Sequence, residues 1–393
     1  MLRFAFLILP VSFSLFGYST AYSMSLDWSG GYRTEYTNID NLLMGNPKGN
    51  KTYILNNLWL APKIIAADGV NVITRFQVMP NRDSRYVNSQ AGQVWGEGVG
   101  TGTPSHSEDS NVLSHSPRAS TLLVDQMYLN VNNEFGQLTV GRAPLHFGLG
   151  MTYNGGTGPF DHWYDSRDMI AYKAVSGNAY LMPIFAKINE GNLGRTGYVD
   201  EQMFHLQYEN LEAGSLFGIF YQSRRSGLLG NDLPAADLGG VAQTGFASTR
   251  YNLLMGRDFG WFSFKFEAGF LNGETGIFTP TGKEIKMSSY GVASEFYFGT
   301  PAEKTRWVLR TGAASGDNPG TENYEGYVFN RNYDIAFLMF NHPMGQKDFF
   351  KTSLQRDDSK AVDTALDDEA LSNVFYLSPQ IHWQWTDKVT LVN

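Results

Sequence analysis

The most constraining feature of this chain is the strict alternation of residue types in residues 261–272, WFSFKFEAGFLN. Every second position is apolar and most of these are aromatic: Phe262, Phe264, Phe266, Ala268 and Phe270. The positions between them are polar, charged or small: Ser263, Lys265, Glu267 and Gly269. Successive side chains of a β-strand point to opposite faces. The segment therefore predicts a strand with one aromatic face and one charged face, as in a barrel with lipid outside and water inside.

The same alternation returns in roughly sixteen strand-like segments along the chain, without a sequence repeat of fixed period. One of these segments, residues 329–340, departs from the pattern because its part YDIAFLMF is apolar on both parities. We still predict a strand there, covered from the inside by a loop or a plug.

The connections between the predicted strands alternate between short and long. Short ones include Asp68-Gly69 and Phe259-Gly260, whereas residues 40–51, 81–119 and 341–372 form long ones. Bacterial outer-membrane barrels have short periplasmic turns and longer extracellular loops. The sequence therefore predicts an all-β protein, a transmembrane antiparallel β-barrel of about 16–18 strands with this arrangement of loops.

The two ends of the chain carry further signals. Residues 1–23 have one early positive charge, a short apolar run broken by a proline, and small residues near the end, which is typical of a signal peptide. The run is too short for a membrane-spanning helix. The barrel would then occupy residues 24–393. The chain stops just inside a strand and lacks a final aromatic residue, so we expect a truncated C-terminal end and about two further strands.

Composition excludes several classes of function. The chain has no cysteine, so disulfide frameworks, thiolate metal sites and cysteine nucleophiles are absent. Its formal net charge is −8 and no basic cluster stands out, which argues against nucleic acid as a partner. We expect no metal and no cofactor. His106-Ser107, His115-Ser116 and Asp161-His162 lie in predicted loops that would not fix a catalytic geometry, so we do not expect an enzyme.

Several motifs resemble those of bacterial porins, and more closely the alginate-export-like family of outer-membrane barrels. They are the segment GQLTVGR of residues 136–142 followed by FGLG, the residues around Phe160-Asp161, and the segment ASGDNP of residues 314–319. This resemblance implies a water-filled barrel of eighteen strands that passes polar solutes. The mixed charges predicted for the lumen argue against alginate itself. Bacterial porins are frequently trimers, which makes a homotrimer a possible assembly.

Strand parity assigns a set of charged residues to the lumen. The basic ones are Arg33, Arg75, Arg224, Arg250, Lys265, Arg306 and Arg310. The acidic ones are Glu35, Asp258, Glu267 and Glu295. The balance leans basic, and basic rings favour anions in a pore. The alternative is that these charges only pair across neighbouring strands.

Two long loops leave their roles open. Residues 341–372 are rich in acidic residues without a calcium-binding spacing, so a solvated loop is the simpler interpretation. Residues 81–119 could fold inward and narrow the pore or remain outside.

The combined interpretation is a channel of the cell outer membrane, in contact with lipid, that passes small polar or anionic solutes by passive diffusion. Two alternatives remain: a plugged structural or adhesive surface barrel, and a secreted carbohydrate-binding β-sandwich.

Overall fold

The protein is described from a computed structural model, which covers residues 25–39, 51–77, 123–158, 161, 166–190, 198–228, 240–300, 302–318, 321–330, 332–333, 335, 373–386 and 389–392. The regular elements are sixteen β-strands: β1 Ser25–Ile39, β2 Lys51–Ala67, β3 Val70–Gln77, β4 Leu123–Asn133, β5 Gly136–Pro144, β6 Ser166–Ser176, β7 Ala179–Glu190, β8 Tyr198–Asn210, β9 Ser215–Ser226, β10 Val241–Ala242, β11 Ala247–Asp258, β12 Phe262–Phe278, β13 Glu284–Phe298, β14 Thr305–Ala314, β15 Val374–Thr386 and β16 Val389–Val392. Within these residues no helix is long and apolar enough to cross a membrane.

All strands belong to one antiparallel sheet, and each long strand pairs with the next one along the chain. The short strand β10 is the exception because it pairs with β12, so β9 pairs directly with β11. In the described part, β1 pairs with β2 and β16 pairs with β15. Short turns on one side, such as that at Gly69 with its positive φ of 73°, alternate with longer connections on the other.

The outer face of the sheet carries large apolar side chains that remain exposed. On β1, Trp28, Tyr32 and Tyr36 are each more than half exposed. On β12, Phe270 is 47% exposed, while its neighbours Glu267 and Gly269 are buried on the opposite face. An apolar exterior around a charged interior suits lipid and not water.

The sheet curves around inner chain segments, because strands far apart in its order contact the same segment. Arg33 on β1 donates to the carbonyl of Asp161 at 3.0 Å, and Arg75 on β3 donates to that of Gly156 at 3.3 Å. The backbone N–H of Leu149, in the same segment, donates to Glu267 on β12 at 2.7 Å. The predicted antiparallel transmembrane barrel is confirmed.

The predicted strand at residues 329–340 is wrong for the residues described there. Phe329, Tyr333 and Ile335 are buried outside the named strands, and Phe329 and Tyr333 pack against Tyr376 on the inner face of β15. These three apolar side chains are therefore enclosed by the barrel and do not face lipid. The predicted signal peptide and the loops 81–119 and 341–372 lie outside the described residues.

The outward orientation of β9 is testable at Ile219, which is exposed on the outer face. Arginine at the middle of a lipid-facing strand destabilises a barrel by about 2–4 kcal/mol, against about 0–1 kcal/mol near the membrane interface. We expect Ile219→Arg to lower the free energy of unfolding in lipid vesicles by the larger amount. Ser223→Arg, on the same face but near the loop end of β9, is the control, and equal effects would contradict the assignment.

Candidate functional site: the narrowed lumen

A segment after β5 crosses the inside of the barrel. We call residues 145–158 the first inner segment. Its side chains Leu145, Phe147 and Tyr153 are 1–2% exposed, which is the burial of a protein core. Phe147 and Tyr153 pack on Phe220 of β9 with ring centroids 5.5 and 4.6 Å apart. The inner wall here is thus apolar.

The first inner segment is anchored to the wall by polar contacts. The Glu267 carboxylate, which is fully buried, accepts from Leu149 N at 2.7 Å and from Asn252 Nδ2 at 3.3 Å. Gly148 adopts a positive φ of 59° beside this carboxylate, where a Cβ would lie 2.7 Å from Glu267 Oε2. Glycine is therefore required for the chain to turn around Glu267. Glu267, which was predicted to line the channel, therefore anchors the first inner segment to the wall.

A second inner segment, residues 324–330, lies against the first. Asn330 N donates to the Met151 carbonyl at 2.7 Å, and the hydroxyls of Tyr327 and Thr152 lie 2.7 Å apart. Tyr327 fits closely over Gly269 of β12, where a Cβ would lie 2.1 Å from the tyrosine oxygen. The two segments together narrow the lumen.

Buried tyrosines connect the inner segments to the wall. Tyr153 donates to Gln222 Oε1 at 2.6 Å, and the hydroxyl oxygens of Tyr333 and Tyr376 lie 2.8 Å apart. Burial raises the pKa of Tyr153, Tyr327 and Tyr333, so their hydroxyls remain protonated and can donate. These contacts satisfy groups that would otherwise be buried without partners.

Arg250 of β11 lies where the two inner segments meet. Its guanidinium carbon is 5.7 Å from the ring centroid of Tyr153 and 5.9 Å from that of Tyr327. Its Nε has no hydrogen-bond acceptor among the described residues. Contact with neutral rings leaves the positive charge of Arg250 in place.

Arg33 and Arg75 extend from the opposite wall and donate to carbonyls of the connection between β5 and β6. Arg75 also lies 4.8 Å from the centroid of the Trp59 ring. The lumen is therefore flanked by arginines on two sides of the first inner segment.

Glu201 of β8 is the charged residue that the sequence analysis missed. It is 1% exposed and bonds both Arg167 at 2.7 Å and Arg224 at 2.8 Å. Its parity is that of His205, which is also buried, so strand periodicity alone could have placed it inside. Glu201 offsets part of the positive charge of the predicted lining residue Arg224.

The remaining predicted lining residues divide into two groups. Arg310 pairs with Glu295 at 3.3 Å, and Arg306 lies 5.4 Å from the Tyr297 ring centroid, so these residues share one patch of the β13–β14 wall. Asp258 and Lys265 are exposed near the short turn between β11 and β12. They are not brought to the narrowed lumen: Asp258 accepts from Gly260 N within that turn. The side chain of Glu35 lies outside the described residues.

The described residues contain no group of three His, Cys, Asp or Glu side chains that could hold a metal ion. His106-Ser107 and His115-Ser116 lie outside the described residues.

No protein-family model matches the chain, and no curated protein matches it in sequence. Solved structures match it in fold. The outer membrane channel DcaP of Acinetobacter baumannii is 10% identical, with a TM-score of 0.48, covering 96% of this chain and 91% of that chain. OpdK of Pseudomonas aeruginosa, solved with vanillate, is 12% identical, with a TM-score of 0.43 and coverages of 91% and 75%. The trimer form of OmpT, an outer membrane protein of Vibrio cholerae, is 10% identical, with a TM-score of 0.35 and coverages of 76% and 92%.

The geometry of the chain leads independently to the same class of protein. One antiparallel sheet with an exposed aromatic exterior surrounds a charged interior that is crossed by two inner segments. This is the architecture of an outer-membrane β-barrel, and the predicted location in the outer membrane is confirmed.

The anchoring role of Glu267 is testable by Glu267→Ala, which leaves the buried N–H of Leu149 without its acceptor. A buried N–H left without an acceptor reduces stability by about 1–3 kcal/mol. We expect the first inner segment to loosen, with larger and noisier single-channel conductance in planar bilayers. Glu274→Ala, on the outer face of the same strand, should behave as the unmodified protein. Identical traces for both variants would show that Glu267 does not hold the segment.

Proposed function

We propose that this chain is a channel for small hydrophilic solutes, which cross its lumen by passive diffusion with a weak preference for anions. The observation that carries the proposal is the placement of arginines on opposite sides of the first inner segment. Arg33 and Arg75 stand on one side and Arg250 on the other. The charged groups named around the first inner segment are then three arginines and the buried Glu267, so a permeating solute would pass walls with a positive balance.

The charge balance supports a weak preference over a strong one. Basic groups lining a pore favour anions, and a narrow passage with low-dielectric walls increases the effect. Glu201 and Glu295 are each paired with arginines, which reduces the positive potential without reversing it. The Nε atoms of Arg250 and Arg306 are buried and have no acceptor among the described residues, so they act on a passing anion through their charge and not by direct contact.

A plugged barrel is the second candidate, and a specific observation favours it. The two inner segments bond to each other and to the wall, so they reduce the open cross-section. A secreted β-sandwich fits less well, because the strands form one continuous sheet and not two packed sheets.

Several expectations remain predictions. The resemblance to the alginate-export-like family, the absence of an enzymatic activity, the homotrimer and the absence of a nucleic-acid partner all belong to this group. None of them is needed for the channel proposal.

The test of the proposal is single-channel recording of the full chain, folded in detergent and inserted into a planar bilayer under a salt gradient. We expect stable steps of open-channel current, with a reversal potential whose sign indicates a preference for anions. Folded, inserted protein without conductance would favour the plugged barrel instead.

Arg306 and Arg310 test the contribution of the β13–β14 wall. Reversing both charges, by Arg306→Glu and Arg310→Glu, should shift the reversal potential toward cation preference. Arg257→Glu, at an exposed position on the outer face of β11, provides a matched charge reversal that should leave selectivity unchanged. If the lumen and outer-face variants give the same potential, these arginines do not face the permeating ions.

Removing the negative charge of Glu201 should have the opposite effect. A unit charge about 8 Å from a permeating ion in water contributes about 0.5 kcal/mol, which opposes an anion and favours a cation by that amount. Glu201→Gln retains the shape of the side chain, so we expect the anion-to-cation permeability ratio to rise by about 1 kcal/mol, or about fivefold. Reversal potentials under a fixed gradient measure this ratio, and a fall in it would contradict the assignment.

A further inference from the structure

The outer face of β8, β9, β11, β12 and β13 is ordered into levels by the strand register. One level consists of aromatic side chains that are directly opposite one another across these five strands: Phe204, Tyr221, Tyr251, Phe270 and Tyr290. Four of them are 40–53% exposed, and the rings of Tyr221 and Tyr251 lie 5.3 Å apart. Such a level is typical of a membrane interface, where amphipathic rings lie at the edge of the hydrocarbon.

The next level toward the long-loop side is made only of uncharged polar side chains. It contains Gln202, Ser223, Thr249, Asn272 and Ser288, again one residue from each strand. Ser288 donates to Asn272 Oδ1 at 3.3 Å across the β12–β13 pair.

The third level carries the charges. It contains Asp200, Arg225, Ala247, Glu274 and Lys286. Asp200 is engaged by Lys187 at 3.8 Å. Arg225, Glu274 and Lys286 are exposed, and none of the three has an ion pair within the part of the chain that the structure describes.

The height of the charged level matches the edge of a bilayer. On β9 to β13 it lies about ten to twelve residues above the short turns. With a rise of about 3.3 Å per residue and a strand tilt of about 40°, this corresponds to roughly 25–30 Å along the barrel axis. An outer-membrane barrel has an apolar band about 25 Å tall. The charges therefore stand at the level of the lipid head groups on the long-loop side.

We propose that this charged level is a binding surface for phosphate-bearing lipid head groups, centred on Arg225 and Lys286. An arginine fork and a lysine ammonium both bind phosphate oxygens with charge-assisted hydrogen bonds. The two side chains are three strand spacings apart, or about 14 Å, so each binds a separate phosphate. Glu274 between them keeps the net charge of the surface low and leaves a surplus of one positive charge to select anionic lipid.

A lipid surface fits these observations better than a second copy of this chain. The order from aromatic to uncharged polar to charged follows depth in a membrane, and a contact between subunits has no reason to follow depth. The proposal depends on the membrane-spanning fold and not on what crosses the lumen.

The experiment compares lipid selection by three forms of the full chain in nanodiscs with equal amounts of phosphatidylglycerol and phosphatidylcholine. Lipid that remains bound is identified by native mass spectrometry. The unmodified protein should retain an excess of phosphatidylglycerol. The double variant Arg225→Ser and Lys286→Ser should lose most of it, about fivefold for each charge. The control Lys265→Ser and Arg306→Ser removes the same net charge from the inner face and should retain the excess.

Two outcomes would overturn the proposal. One is equal lipid retention in all three forms. The other is a change in the number of copies in the assembly on removal of Arg225 and Lys286, without a change in bound lipid, which would make the surface a subunit contact. A misfolded variant could also lose lipid, so a second measurement uses the unmodified protein alone. Raising the salt concentration from about 0.05 to about 1 M should abolish its excess of bound phosphatidylglycerol, because the Debye length falls to about 3 Å.

Discussion

The constraint on which this structure depends is that the lipid interior offers no hydrogen bonds to the backbone. Each backbone N–H and C=O at membrane depth must find a partner within the protein, and each failure costs several kcal/mol. The antiparallel pairing from β1 to β9 and on through β11 to β15, interrupted only locally by β-bulges, meets this demand along the wall. The wall then has only two faces to present, so strand alternation alone divides the chain into a lipid-facing half and a lumen-facing half.

Within the lumen a different problem arises, because two segments of irregular backbone are enclosed there. Irregular backbone at membrane depth is tolerated where it is buried in protein or lines a water-filled cavity. Glu267 accepts from the backbone N–H of Leu149, and Asn330 N donates to the Met151 carbonyl between the two segments. Gln222 and Thr152 pair with the hydroxyls of Tyr153 and Tyr327. The same interior thus combines apolar packing around Phe220 with a set of arginines, and the channel proposal rests on this combination.

Sequence periodicity predicted the wall well and the contents of the lumen poorly. The two-residue period of β12 assigns Glu267 and Lys265 to the inner face without any tertiary information. It cannot show that Glu267 holds a backbone amide, since Leu149 lies 118 residues away. Nor does it separate residues by depth, which is why Asp258, beside the short turn, was grouped with Arg224 and Arg250, which lie nearer the long-loop ends of their strands. The strand predicted at residues 329–340 failed for a related reason at Phe329, Tyr333 and Ile335: these apolar side chains are buried against inner groups, and the period does not distinguish that burial from contact with lipid.

The distance along the chain between the partners of the inner contacts has a kinetic consequence. Thr152 and Tyr327 meet across 175 residues, and Asn330 bonds to Met151 over a similar separation. Closing such loops is slow compared with forming hairpins between neighbouring strands. The sequence separation therefore favours formation of the wall hairpins before the inner segments dock. In that order the bore of the barrel is set by contacts that form late, so the width of the lumen depends on the contacts with the longest loops.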